Sequence, residues 1–177
     1  MSVRSGKPLL LVNATELLRQ PGSRRHVETS VPLGELEVDD PRLSGEVAVD
    51  VMLESTIEDV GVVGWLRVPW ADVCKRCLRP ISDVLSVAVD ERYAEDDPTG
   101  RRRVDPEAFP IDHGQIDLAP MARAEILLGV PDAPLCEPDC PGLCPICGTD
   151  LRLGPCGCSL EVRDERLAAL DVLRQDE

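Results

Sequence analysis

A chain of 177 residues with a formal net charge of −14 has room for one domain, or one domain and a small appended module. That length buries a core without cysteine staples, and that charge repels nucleic acid at long range while attracting basic partners or simply keeping the chain soluble. The aromatic side chains are Trp65, Trp70, Tyr93 and Phe109, so the core falls to aliphatic residues, mostly Val and Leu.

The N-terminus carries the apolar run Leu9-Leu10-Leu11-Val12, well short of the roughly 7–15 residues of an export signal. No segment approaches the roughly 18 apolar residues of a membrane span. The expectation is a cytoplasmic protein with no membrane partner, in a reducing compartment where paired cysteines are more often metal ligands than disulfides.

Residues 1–20 predict a short strand and then a short helix opened by Asn13, a residue suited to capping. Residues 21–45, rich in Pro, Gly and charge, read as connection with one strand near residues 26–31. Val47, Val49, Val51 and Leu53 alternate with Glu46, Ala48, Asp50 and Met52, the period-two pattern of a strand. Val60, Val62, Leu66, Val68 and Trp70 predict a second strand, with Gly61 and Gly64 marking a bend or bulge. Leu85, Val87, Val89 and Tyr93 predict a third. Only residues 71–81 separate the last two, so an antiparallel hairpin is expected with Cys74 and Cys77 at its tip.

Residues 94–114, rich in Asp, Pro and Arg and including Arg101-Arg102-Arg103, read as a mobile loop. Asp117 then predicts an N-cap, and Pro120 falls in the first helical turn, where its missing N–H does no harm. Leu118, Ala122 and Ile126, with Met121 and Leu128, give the helix one apolar stripe. Pro131 ends it. Residues 132–159 hold six cysteines among prolines and glycines, with too little apolar material for a core. A last helix is predicted over residues 164–174, carrying Leu167, Leu170 and Leu173. The expected class is α+β: an antiparallel β-sheet or partly open barrel-like domain over residues 1–131, with a few short helices, and a C-terminal cysteine-rich zinc module over residues 132–177.

The cysteine spacing carries the chemistry. Cys144-Pro145-Ile146-Cys147-Gly148 is a zinc-knuckle sequence: two intervening residues bring both sulfurs to one metal, and Gly148 tolerates the positive φ of the turn. Cys156-Gly157-Cys158 follows, giving a local set of four. Cys74 and Cys77 remain, with Cys136 and Cys140, as a second set that would clamp the hairpin tip to the start of the cysteine-rich segment. A zinc ribbon is the rival pairing, with Cys74 and Cys77 joined to Cys144 and Cys147. Two Zn²⁺ per chain are expected, with iron the lesser alternative because four thiolates suit both. Each closed site carries net −2, taking the chain to roughly −18. Four-thiolate sites keep no position open for water, and His26 and His113 lack ligand spacing to any cysteine, so the metals read as structural and the protein as no enzyme. Lys75, Arg76 and Arg79 around the first pair either offset its charge or touch RNA phosphate.

Three segments resemble the YceD family, the large ribosomal RNA subunit accumulation proteins. They are Cys74-Lys75-Arg76-Cys77-Leu78-Arg79-Pro80; Ile116-Asp117-Leu118 through Val130-Pro131 to Cys136-Glu137-Pro138-Asp139-Cys140; and Gly142-Leu143-Cys144-Pro145-Ile146-Cys147-Gly148-Thr149-Asp150-Leu151 with Cys156-Gly157-Cys158 and the tail from Asp164 to Leu170. The resemblance implies ribosome biogenesis, namely support of 23S rRNA accumulation and large-subunit assembly. The partner it implies is a basic large-subunit ribosomal protein or a precursor particle, with rRNA contact indirect. Family members that lack the last four cysteines favour the hairpin clamp over the ribbon. Direct RNA binding and a redox-regulated zinc chaperone stand as alternatives. The basic loop near residues 101–103 has no match in the family.

Overall fold

In the computed structural model, which describes residues 10–95, 107–159 and 166, the chain forms β1 (Leu11–Asn13), α1 (Thr15–Arg19), β2 (Arg24–Pro32), β3 (Glu46–Ser55), β4 (Val60–Val73), β5 (Pro80–Ala94), β6 (Phe109–Asp112), β7 (Gln115–Asp117) and α2 (Ala119–Gly129). The strands make one sheet in the order β1-β7-β6-β5-β4-β3-β2. β1 with β7, β2 with β3, β3 with β4 and β6 with β7 pair antiparallel, whereas β5 and β6 pair in parallel with Tyr93 opposite Phe109. β1 and β2 are its two edges, so the sheet is open, curled into a half-barrel. The expected α+β class with an antiparallel, partly open sheet is therefore the observed one.

Period-two alternation decides which face is buried. Val47, Val49, Val51 and Leu53 of β3 are at most 1% exposed, and Val60, Val62, Leu66 and Val68 of β4 meet them from the next strand. β2 is longer than its sequence signal and pairs with β3 over its whole length. The glycines of β4 make no bulge, because the β3–β4 register runs unbroken from Ala48 opposite Arg67 to Ser55 opposite Val60. Gly64 answers a different need. Its φ is +155°, and a Cβ there would overlap the Asp50 carbonyl oxygen and stand 2.7 Å from Val51 Cα. Only a residue without a side chain lets the two backbones approach that closely.

Strands β6 and β7 correct the reading of residues 94–114 as one loop. His113 (φ 49°) and Gly114 (φ 70°) form the tight turn of a small hairpin that buries Ile111 and Ile116. Two consecutive positive φ values match the twist of antiparallel strands. Tyr93 anchors this corner: its ring stacks on Phe109 at 5.3 Å between centroids, and its hydroxyl donates to the Asp117 carbonyl at 3.0 Å. Arg101, Arg102 and Arg103 lie outside the described residues, as does the predicted helix over 164–174 apart from Arg166.

The N-cap positions fall to Ala14 and Leu118, one residue after the expected Asn13 and Asp117, whose side chains still bond the first residue of each helix. Asn13 Oδ1 accepts the Thr15 N–H at 2.9 Å, and Asp117 Oδ1 accepts the Ala119 N–H at 2.9 Å. α2 buries Leu118, Met121, Ala122 and Ile126 as expected, but Leu128 is 82% exposed. The line Leu118–Ala122–Ile126 continues to Gly129, not Leu128. At Gly129 the helix comes so near β5 that a Cβ would stand 2.6 Å from Val87 Cγ2.

The chain divides into two compact units, residues 1–72 with 81–132 and residues 73–80 with 133–177. The tip of the β4–β5 connection thus groups with the cysteine-rich segment. The aliphatic core belongs to the first unit, from Leu10 to Val130.

Candidate metal centres

Two CxxC turns in the second unit share one backbone design. In the first, the Leu78 N–H donates to the Cys74 carbonyl at 2.9 Å and the Cys74 N–H to the Arg79 carbonyl at 2.8 Å. In the other, the Gly148 N–H donates to the Cys144 carbonyl at 2.8 Å and the Cys144 N–H to the Thr149 carbonyl at 2.8 Å. The residue after each second cysteine must take a positive φ to close the turn: Gly148 at 73° and Leu78 at 60°. Glycine does so freely, whereas a leucine there is strained. Aligning Cys74-Lys75-Arg76-Cys77-Leu78 on Cys144-Pro145-Ile146-Cys147-Gly148 is the sequence signal that finds Leu78. The second turn is joined to the first by the Leu143 N–H donating to the Arg76 carbonyl at 3.1 Å.

These turns assemble two sulfur clusters. Cys74, Cys77, Cys136 and Cys140 form one, and Cys144, Cys147, Cys156 and Cys158 the other; within each, the sulfurs all lie within 4.8 Å of one another. The first cluster joins the hairpin tip to residues 136 and 140, so the ribbon combination of Cys74 and Cys77 with Cys144 and Cys147 is not the one assembled. Within the first cluster the Cys74 and Cys140 sulfurs stand 3.8 Å apart and those of Cys77 and Cys136 3.6 Å. A disulfide needs about 2.05 Å. Four thiolates arranged tetrahedrally at about 2.3 Å from a zinc ion stand ~3.8 Å apart. The spacing therefore fits a shared metal and not a covalent bond. Each cluster can hold a metal ion, and the all-sulfur donor set is compatible with zinc.

The electrostatics explain why a cation suits these places. Burial pushes the Cys74 thiol up, but N–H groups of Cys136, Cys77 and Arg76 outweigh it and bring it down to about 6. Burial pushes Cys140 up to about 12. In the second cluster the Thr149 hydroxyl brings Cys147 down to about 6, while hydrogen bonding with Cys147 pushes Cys158 up to about 12. Four sulfurs this close cannot all ionise unaided, and a divalent cation would relieve that repulsion.

The two arginine side chains of the first turn are already engaged. Arg76 Nη1 donates to the Cys140 carbonyl at 2.9 Å, and Arg79 Nη2 lies 3.4 Å from Cys136 Sγ. Lys75 donates its backbone N–H to the Pro134 carbonyl at 2.9 Å. Asp150 fixes the end of the second turn by accepting from the Arg152 backbone N–H at 3.1 Å and pairing with its guanidinium. Thr149 and Asp150 fall within the third family-like segment, but nothing in the sequence assigns them these contacts.

Comparison with known proteins places these clusters in a wider context. The pattern of the family described as "Large ribosomal RNA subunit accumulation protein YceD" matches residues 62–174, more than half of the chain and inclusive of every cysteine. An uncharacterized protein of Mycobacterium tuberculosis is 32% identical over 168 residues, covering 91% of this chain and 79% of its own. An uncharacterized protein of Mycobacterium leprae is 31% identical over 153 residues, covering 82% of this chain and 69% of its own. No solved structure matches.

Proposed function

The chain belongs to the YceD family of large ribosomal RNA subunit accumulation proteins, and from that premise we propose that it is a non-enzymatic ribosome biogenesis factor acting in the cytoplasm. It supports 23S rRNA accumulation by holding a basic large-subunit ribosomal protein, or a precursor particle carrying one, on an acidic surface. The observation that carries this reading is the family match across residues 62–174. The net charge of −14 supports the choice of a basic partner, since opposite charge speeds encounter and like charge repels rRNA. The metals serve structure: four thiolates around one ion leave no position for substrate. Among the described residues no helix is long and apolar enough to cross a membrane.

Arg76 and Arg79, two of the three candidates for direct RNA contact beside Lys75, already bond to Cys140 and Cys136. That leaves them poorly placed to reach phosphate and favours the protein partner. The test is affinity capture from cell lysate at low and at moderate salt. A basic large-subunit protein or a precursor particle is expected at low salt, with less at moderate salt as charge is screened. Recovery of neither overturns the reading. Recovery of rRNA that survives protein removal moves it to the RNA-binding alternative.

A further inference from the structure

The two clusters differ in how far solvent reaches their sulfurs. In the first, Cys74, Cys77 and Cys140 are buried and Cys136 is half-buried beneath Arg79. In the second, only Cys144 is buried; Cys156 and Cys158 are half-buried and Cys147 is exposed. Its neighbour Ile146 is 53% exposed, so the knuckle tip faces solvent among the described residues. Beside the Cys147 sulfur stand the Thr149 hydroxyl, at 3.2 Å, the Thr149 backbone and the fellow thiols of the cluster. Oxidation of thiolates follows their accessibility, and a resolving thiol close by converts the first product to a disulfide. Cys147 meets both conditions more fully than any sulfur of the first cluster, whose most accessible thiol, Cys136, is half-buried.

We infer that Cys147 is an oxidation site for hydroperoxides, through which the second cluster gives up its metal while the first retains its own. The Cys147 thiolate attacks the O–O bond, takes one oxygen as sulfenic acid and releases hydroxide. A second thiolate of the same cluster then attacks that sulfur, forms a disulfide and expels the oxygen as a second hydroxide. Two thiolates supply the two electrons that the hydroperoxide consumes. The cluster is left with two sulfurs, too few to hold the ion, and a thiol reductant reverses the change. The inference rests on the clusters holding metal and not on the identity of any partner.

The experiment uses the full-length, zinc-loaded protein under graded hydrogen peroxide. Released metal is read with a chromogenic chelator, and free thiols are mapped by alkylation and mass spectrometry. One of two metals is expected to leave first, with oxidation confined to Cys144, Cys147, Cys156 and Cys158. Arg79→Ala, which uncovers Cys136 without removing a ligand, is expected to hasten only the later loss from the first cluster. Simultaneous loss of both metals, earlier oxidation of Cys74, Cys77, Cys136 or Cys140, or hastening of the first release by Arg79→Ala overturns the inference, as does a protein that takes up only one metal. None of these readings involves a ribosomal component, so failure here and failure of the proposed function are separate results.

Discussion

Leu78 is the clearest case of a residue held against its preference. It occupies the positive-φ position that Gly148 fills in the sister turn, and its side chain is 61% exposed. Leu78→Gly should therefore remove strain at little cost in burial and raise stability by roughly 0.5–1 kcal/mol. Thermal unfolding of the zinc-loaded variant measures this; a lowered midpoint refutes the strain argument. Tyr93 gives the opposite case, a polar group whose single bond is buried. Burial pushes its phenol well above the usual range. A raised folded-state value means the stabilisation is complete below the unfolded tyrosine value, near pH 10, and is lost as pH rises beyond it. Alkaline unfolding should accordingly begin above about pH 10 and be blunted in Tyr93→Phe, which should lose about 1 kcal/mol at neutral pH with its bond to Asp117. Equal alkaline sensitivity of the two proteins would show that Tyr93 is not the group responsible.

At the scale of elements, β4 lies against β3 only because position 64 lacks a side chain. Gly64→Ala places a methyl group on the backbone of Asp50 and Val51, and a loss of about 3 kcal/mol or more is expected in urea unfolding. A change below about 0.5 kcal/mol would mean that the strands part without cost. The cysteine-rich unit differs in what holds it. Its described residues, 73–80 and 133–159, supply none of the aliphatic core, so its order should depend on metal, as in small zinc modules. Chelation should make residues 133–159 sensitive to protease while the β-sheet signal in circular dichroism persists. Protons compete with metal for thiolates, so the same loss should follow acidification and be absent at neutral pH. Protease resistance of the metal-free segment would contradict this.

For the molecule as a whole, the excess of acid over base, 33 residues against 19, makes a basic partner the one to test. Reversing several exposed acidic residues should slow capture of a basic ribosomal protein and flatten its salt dependence, whereas a partner held by apolar contact would be insensitive. Binding measured at two ionic strengths separates the two.

Much of this protein is legible in order along the chain. Alternating valines announce β3 and β4 because one face of each is buried, and the burial repeats every second residue. Cys144-Pro145-Ile146-Cys147 announces a metal turn because its ligands are close in sequence. What the sequence left open was decided by contacts between distant residues. The choice of Cys136 and Cys140 as partners of Cys74 and Cys77 depends on where the hairpin tip comes to lie. The β6–β7 hairpin is too short to announce itself and exists because Tyr93 and the buried Ile111 and Ile116 hold it in place. The exposure of Cys147 against the burial of Cys77, its counterpart in the other turn, is invisible in two motifs of the same spacing. Local spacing determines which groups can bind a metal; only the packing around them determines which of those groups water and oxidants can reach.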